Sequence, residues 1–233
     1  MTDVTTPHTK SFRMPSMSVL GPIIALIVLL LIGTALNSNF LSAANITNVL
    51  ARSAFIGIIA VGMTFVITAG GLDLSVGSMA AFIAGLMILV MNAALPSLGV
   101  GVPIILLGMF TAIVAGLLAG LLNGFLITAL GIEAFIVTLG SMGIYRSLVT
   151  WLADGGTLSL DFGLRSFYRP VYFDGILGIS WPIIVFALVV IIGEIIMSRS
   201  VYGRHCAATG SNEHVAHYSN VNVNRTRLIS YAA

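Results

Sequence analysis

The stretch PIILLGMFTAIVAGLLAGLLNGFLITAL, residues 103–130, decides the class of fold, because no charged side chain interrupts it. An α-helix rises about 1.5 Å per residue and a hydrocarbon core is roughly 30 Å thick, so a helix over this stretch is longer than a perpendicular crossing needs. The stretch therefore predicts a membrane-spanning helix that is tilted or has an exposed end.

The remainder of the chain has the composition of a protein that lives in lipid. Of its 233 residues, 58% are hydrophobic and 8% are charged, whereas soluble domains carry about 25% charged residues. Further apolar runs of spanning length cover residues 19–36, 48–69, 75–94, 134–152 and 181–198. We expect an all-α integral membrane protein, a polytopic helical bundle with about six spans in residues 19–198.

The basic residues predict the orientation of the chain. Lys10 and Arg13 lie in a tail formed by residues 1–18, and four arginines follow the last span: Arg199, Arg204, Arg225 and Arg227. An even number of crossings places both groups on one side, and short positively charged segments favour the cytoplasm. We therefore expect a cytoplasmic N-terminus and an outward-facing polar connection over residues 153–180. A net charge of +2 gives no indication of nucleic-acid binding.

The span over residues 103–130 carries a stripe of small side chains. Its members recur at every fourth position: Gly108, Ala112, Gly116, Gly120, Gly124 and Thr128. Residues four apart lie on one face of a helix, and small side chains let a neighbouring backbone come close. The stripe therefore predicts a helix-packing surface.

A break in regular structure is predicted between the second and third spans, at Ala69-Gly70-Gly71-Leu72-Asp73-Leu74-Ser75-Val76-Gly77-Ser78. Irregular backbone within a membrane protein is tolerated only where protein or a wet cavity satisfies it. Two roles stay open for Asp73 and Ser75. They cap the next helix, or they face a transport path and hydrogen-bond a hydroxylated cargo.

Four more residues are candidates for such a path: Asn123, Phe135, Thr138 and Arg146. A membrane arginine faces protein or water, or it snorkels towards the interface, so Arg146 fits a path-lining and a structural role equally well. The amide of Asn123 is better suited to tying helices together than to touching cargo.

The segment over residues 202–220 is predicted to be helical and to lie against another protein. Gly210 breaks one helical piece, Asn212 can cap the next, and Glu213 suits the first turn of that helix. Small residues would allow a close approach to a partner: Gly203, Ala207, Ala208 and Ala216. An ordinary solvated loop is the alternative interpretation.

The same segment also suggests a zinc site, which we regard as the weaker hypothesis. It contains four candidate ligands: His205, Cys206, His214 and His217. His214 and His217 share a helical face, but the adjacent His205 and Cys206 point in different directions. We therefore predict no bound metal.

Together these motifs resemble the ribose/xylose-type permease family of ATP-binding-cassette importers. The residues that carry the likeness are Ala60-Val61-Gly62-Met63-Thr64, Gly70-Gly71-Leu72-Asp73-Leu74-Ser75-Val76-Gly77-Ser78, Asn123-Gly124, Ala134-Phe135-Ile136-Val137-Thr138-Leu139-Gly140, Arg146, Gly203-Arg204, Gly210-Ser211-Asn212-Glu213, Ala216, Ser219 and Val221-Asn222-Val223. The likeness extends over nearly the whole chain.

The resemblance implies the membrane fold of the vitamin B12 importer, incomplete at the C-terminus, in a bacterial inner membrane. It implies a second permease copy, identical or paralogous, a cytoplasmic ATP-binding subunit and a periplasmic sugar-binding protein. Residues 199–224 would be the coupling segment, and residues 225–233 would begin a truncated further span. The coupling contacts would come from Gly203, Arg204, Ala208, Gly210, Asn212, Glu213, Ala216 and Ser219.

The implied function is import of a monosaccharide or related polyol, driven by ATP hydrolysis in the partner subunit. We predict no enzymatic activity and no cofactor for the chain itself, because Lys10 is its only lysine and a phosphate-binding loop of the Walker type needs one. An ion-coupled secondary transporter or channel using Asp73 and Arg146 is the alternative. An intramembrane enzyme is disfavoured, because no nucleophile and base pair within the predicted spans.

Overall fold

The computed structural model describes residues 17–176 and 178–232, and this part of the chain is almost entirely helical. The helices are α1 (Met17–Leu36), α2 (Ala43–Thr68), α3 (Val76–Leu98), α4 (Val102–Thr128), α5 (Ala134–Leu152), α6 (Phe162–Phe173), α7 (Trp181–Arg199), α8 (Val201–Ser211), α9 (Glu213–Tyr218) and α10 (Val223–Ala232). Between α6 and α7, β1 (Gly175–Ile176) pairs antiparallel with β2 (Ile179–Ser180). Lys10 and Arg13, on which the predicted orientation depends, lie outside the described residues.

Five helices have the length and composition of membrane spans, namely α2, α3, α4, α5 and α7. They coincide with five of the predicted spans, and the largest difference is the start of α2, at Ala43 in place of Asn48. The remaining predicted span falls on α1, whose apolar part, Leu20–Leu36, is shorter than the other five. The expectation of a polytopic helical membrane protein is confirmed, while a sixth span stays a prediction.

The chain divides into two compact units, Met1–Val49 and Leu50–Ala233. In the described part of the first unit, the ring of Phe40 packs against Gly33 of α1. The side-chain amide of Asn45 donates to the carbonyl oxygen of Phe40 at 2.7 Å and holds the turn before α2. The candidate functional residues all belong to the second unit.

Helix α4 is central to the second unit, and its small-residue stripe lies against two different helices. Near one end of α4, Gly108 receives the side chain of Met91 from α3. Towards the other end, a Cβ atom at Gly120 would overlap the carbonyl oxygen of Tyr231, and one at Gly124 would lie 3.2 Å from the carbonyl oxygen of Leu228. The stripe therefore lets the backbone of α10 approach α4 directly.

The connection over residues 153–180, predicted only as a polar segment, folds into α6 and the hairpin. Asp161 caps α6 by accepting a hydrogen bond from the Gly163 N–H at 2.9 Å. Leu164 is 1% exposed and packs with Met91 and Ile104 against the ends of α3 and α4. The sequence did not predict this helix, because its apolar residues alternate with two arginines and form no long run.

Replacing Gly120 with alanine should destabilise the second unit by about 1–3 kcal/mol, because the added methyl group meets backbone atoms that cannot rotate away. Gly116→Ala is the matched control, since the nearest atom to its new methyl is the flexible end of Ile83 at 3.5 Å. Thermal unfolding can be followed by a thiol-reactive dye, because Cys206 is 0% exposed until the fold opens. Equal midpoints for the two variants would contradict the packing of α10 on Gly120.

Candidate functional site

The irregular segment between α2 and α3 begins with a hydrogen-bonded cap at the C-terminal end of α2. The N–H of Gly71 donates to the carbonyl oxygen of Val66 at 2.8 Å, and the N–H of Gly70 donates to that of Ile67 at 3.0 Å. This pair of bonds is a Schellman cap, which needs a left-handed residue, and Gly70 has φ +76°. The first of the paired glycines is therefore required by the turn that ends α2.

The next peptide of the segment is held by a side chain from α10. The Leu72 N–H donates to the hydroxyl oxygen of Tyr231 at 3.2 Å, and the hydroxyl donates to the Leu72 carbonyl oxygen at 3.0 Å. The Tyr231 hydroxyl thus satisfies both the N–H and the carbonyl of Leu72, which lies in neither a helix nor a strand. Such pairing is obligatory where water is excluded.

A chain of hydrogen bonds then leads from Asp73 across three helices. Asp73 Oδ1 accepts from the Ser75 N–H at 2.7 Å and from the Ser75 hydroxyl at 2.6 Å. The Asn123 amide nitrogen donates to Ser75 Oγ at 3.0 Å, and the Ser141 hydroxyl donates to Asn123 Oδ1 at 2.6 Å. Ser75 and Asn123 are 0% exposed. The chain ties the start of α3 to α4 and α5.

The bonds in this chain run in one direction. The Ser75 hydroxyl donates to Asp73 Oδ1, so the serine oxygen is then free to accept from the Asn123 amide. The carbonyl of that amide is left for Ser141. Ser75 occupies the position before α3, but its hydroxyl makes no capping hydrogen bond to the helix backbone, contrary to one of the two predicted roles.

The structure brings together three of the six residues predicted for a transport path, namely Asp73, Ser75 and Asn123. Thr138 is fully buried one turn from Ser141, but its hydroxyl donates to the Ala134 carbonyl oxygen within α5. Phe135 and Arg146 are exposed, and Arg146 borders an open depression near Trp151 at the far end of α5.

Ser141 was missed by the sequence reasoning, although a signal was available. A hydroxyl three residues after Thr138 falls on the same face of an otherwise apolar helix. Polar side chains that share a face within a membrane helix commonly bond to another helix.

Asp73 also borders an open cavity of about 450 Å³ lined by α2, α3, α4 and α10, a volume within the roughly 300–1,000 Å³ of small-molecule sites. Most of the lining is apolar, with Met63, Met79 and Ile113 among the larger side chains. Asp73 is the acidic residue among the described residues that line the cavity, and Ser230 and Tyr231 are the hydroxyl-bearing ones.

The segment after α7 packs against the broken end of α2. A Cβ atom at Gly210 would overlap the carbonyl oxygen of Thr68, so at this point the backbone of α8 lies directly against the last turn of α2. Cys206 is buried with Phe65 and Ala69. The ends of α2 and α7 therefore lie at the same end of the second unit, as the predicted order of crossings requires.

The predicted coupling residues divide into those that build this segment and those that are exposed. Gly203 lies against the carbonyl oxygen of Met197, and Ala216 is 3% exposed. Asn212 caps α9, because its Oδ1 accepts from the Val215 N–H at 3.1 Å. The remaining predicted contacts lie at or near the surface, namely Arg204, Ala208, Glu213 and Ser219.

Two apolar or aromatic side chains on α9 were not singled out from the sequence, and they form the exposed tip of the segment. Tyr218 is 88% exposed and Val215 is 58% exposed. Tyrosine is one of the residue types enriched among those that carry most of the binding energy in protein–protein interfaces. We call Val215 and Tyr218 the α9 tip.

The buried side of α8 is linked to α10 by a tyrosine. Burial raises the pKa of Tyr202, so its hydroxyl stays protonated, and it lies 2.7 Å from Ser230 Oγ. Within residues 17–176 and 178–232, no group of three or more His, Cys, Asp or Glu side chains could hold a metal ion. His205 and His214 do not converge with the buried Cys206 in such a group.

Five spans and a packed helical segment after the last of them define a polytopic helical membrane protein. The family described as branched-chain amino acid transport system / permease component matches residues 45–233, and the chain belongs to this family. It is therefore a multi-pass membrane protein. No solved structure matches the chain significantly.

Individual relatives are named for other cargo. The chain is 36% identical over 230 residues to the ribose import permease protein RbsC of Bacillus subtilis, covering 93% of this chain and 64% of the relative. It is 33% identical over 210 residues to RbsC of Haemophilus influenzae, covering 90% and 62%. It is 29% identical over 211 residues to the autoinducer 2 import system permease protein LsrC of Salmonella paratyphi B, covering 90% and 58%.

These relatives confirm the resemblance to ribose-type permeases that the motifs indicated. The chain spans about three fifths of the length of each of them, by the shares of 64%, 62% and 58%. They are transport permeases by name, which agrees with the expectation that the chain is not itself an enzyme.

Asn123→Leu should destabilise the second unit by about 1–3 kcal/mol, because the buried Ser141 hydroxyl loses its acceptor and Ser75 Oγ loses a donor while the volume is nearly kept. In a double-mutant cycle with Ser141→Ala, the coupling energy should be roughly 0.6–1.7 kcal/mol. Thr128→Val is the control, since its hydroxyl donates within α4 to the Gly124 carbonyl oxygen at 2.7 Å. Unfolding midpoints that add without coupling for Asn123 and Ser141 would rule out the hydrogen-bond chain.

Proposed function

We propose that the chain is the membrane-spanning permease subunit of an ATP-binding-cassette importer for a monosaccharide or related polyol. The observation that carries the proposal is the contact between the segment after the last span and the broken end of α2. This contact connects an exposed surface at one end of the spans to the cavity that Asp73 borders. Two relatives named as ribose import permeases support the same conclusion.

The chemistry at Asp73 favours a hydroxylated cargo over an anionic one. Oδ1 is engaged by Ser75, so the second carboxylate oxygen can accept from hydroxyl groups in the cavity. A carboxylate cannot donate, and its charge repels an anion. The family description names branched-chain amino acids, whereas the polar groups around this cavity suit a neutral polyol better.

The proposed partners follow from the two ends of the spans. A cytoplasmic ATP-binding subunit would cover the α9 tip and would hydrolyse the ATP, so the permease needs no cofactor of its own. A periplasmic sugar-binding protein would dock on the outer side, near α6 and the hairpin. A second permease subunit would complete the assembly in a bacterial inner membrane, with the N-terminus of each in the cytoplasm.

Uptake of radiolabelled D-ribose into proteoliposomes that contain the purified assembly tests this function. ATP-dependent uptake that survives an ionophore would support the importer. Uptake that persists without an ATP-binding subunit and collapses with the ion gradient would favour the secondary transporter. Failure of ribose with success of another polyol would correct the cargo alone.

Tyr218→Glu should abolish co-purification of an ATP-hydrolysing subunit with the tagged permease, because it places a charge at the exposed centre of the α9 tip. Ile176→Glu is the control, since Ile176 is 53% exposed in the hairpin before α7, at the opposite end of that span. Substitutions at Gly203 or Ala216 would not test docking, because both residues pack against their own chain. An ATPase retained at wild-type amounts by Tyr218→Glu would contradict the proposed docking surface.

A further inference from the structure

Arg227 joins the segment that carries the α9 tip to the broken end of α2. Its Nη2 donates to Glu213 Oε2 at 2.8 Å, and its Nε donates to the Ala69 carbonyl oxygen at 3.4 Å. Glu213 is the first residue of α9, and Ala69 follows the last residue of α2. One planar guanidinium therefore contacts both elements from α10.

A second contact from α10 lies one turn further on. Tyr231 follows Arg227 by four residues, so both side chains leave the same face of the helix. The Tyr231 hydroxyl holds the N–H and carbonyl of Leu72. Helix α10 thus binds Ala69 before Gly70-Gly71 and Leu72 after them, immediately before Asp73.

The ion pair is poorly suited to a purely stabilising role. The Glu213 side chain is 51% exposed and that of Arg227 is 22% exposed, and exposed ion pairs contribute little to stability. Arg227 also donates to a backbone carbonyl in the turn that ends α2, so it connects α9 to that turn. A shift of α9 changes the direction of the guanidinium and hence its hold on that turn.

We infer that Arg227 is a positioning residue that transmits displacement of α9 to residues 69–73 and so to Asp73 at the cavity. The inference rests on the proposed function, because the displacement comes from the ATP-binding subunit. Tyr231 makes the transmission effective, since Leu72 cannot drift away from α10 while both of its polar groups are bound. Neither Arg227 nor Tyr231 belongs to the α9 tip, which consists of Val215 and Tyr218.

A cysteine at position 72 reports the motion. The Leu72 side chain is 41% exposed, and Leu72→Cys keeps the backbone groups that bind Tyr231. The rate of alkylation by N-ethylmaleimide is measured in the assembled transporter with and without ATP, in a Cys206→Ala background. ATP should change this rate in the otherwise unaltered permease.

Arg227→Gln should abolish the ATP-dependent change while the ATP-binding subunit stays bound, and Arg227→Lys should restore part of it. Arg225→Gln is the matched control, because Arg225 is an exposed arginine on the same helix, and we expect the full response from it. A normal response in Arg227→Gln would overturn the inference and leave the proposed function intact. Loss of the ATP-binding subunit from Arg227→Gln would also overturn it, by assigning Arg227 to docking.

The two failures are distinguishable in the same preparation. If no ATP-hydrolysing subunit purifies even with the unaltered permease, the proposed function fails and the inference fails with it. If the subunit is bound and the alkylation rate at position 72 ignores ATP in the unaltered permease, the inference alone is overturned. Should Leu72→Cys prevent assembly, Leu74→Cys provides a second reporter, because Leu74 is 36% exposed on the other side of Asp73.

Discussion

The requirement that buried backbone groups find partners within the protein governs the segment between α2 and α3. Regular helix ends at Thr68, and the peptides that follow are satisfied by a glycine cap, by the Tyr231 hydroxyl and by the Asp73 carboxylate. The first partner is the backbone of α2, the second is a side chain from α10, and the third is a side chain within the segment itself. The position of Asp73 at the cavity therefore depends on α10, which is distant in sequence and adjacent in space.

Helix α4 makes this arrangement possible because glycines, which have no side chain, occupy the positions where α10 crosses it. Gly120 lets the Tyr231 backbone come into contact, and the hydroxyl of the same tyrosine then reaches Leu72. Three residues after Gly120, Asn123 anchors Ser75 and Ser141. One helix thus determines both how closely α10 approaches and how the polar chain is oriented, which links its sequence pattern to the proposed transport path.

The sequence predicted well what depends on local pattern. Apolar runs located the five spans, and the paired glycines located the break. It could not predict that both α3 and α10 pack against the stripe on α4, because residue spacing identifies a helix face but not the helix that packs on it. Arg227 and Tyr231 were missed for the same reason, since their partners at the end of α2, Ala69 and Leu72, lie more than a hundred residues away in the sequence. Helix α6 was missed because a short helix beside a membrane interface has no long apolar run.

The account depends on the break in α2 and the α9 tip sharing the cytoplasmic end of the spans. Native Cys206 cannot report this, because it is 0% exposed, whereas Tyr218 is 88% exposed. The deciding measurement is labelling of a Tyr218→Cys, Cys206→Ala permease with a membrane-impermeant maleimide. We predict labelling in inverted membrane vesicles and none in intact spheroplasts, and labelling of intact spheroplasts would contradict the account.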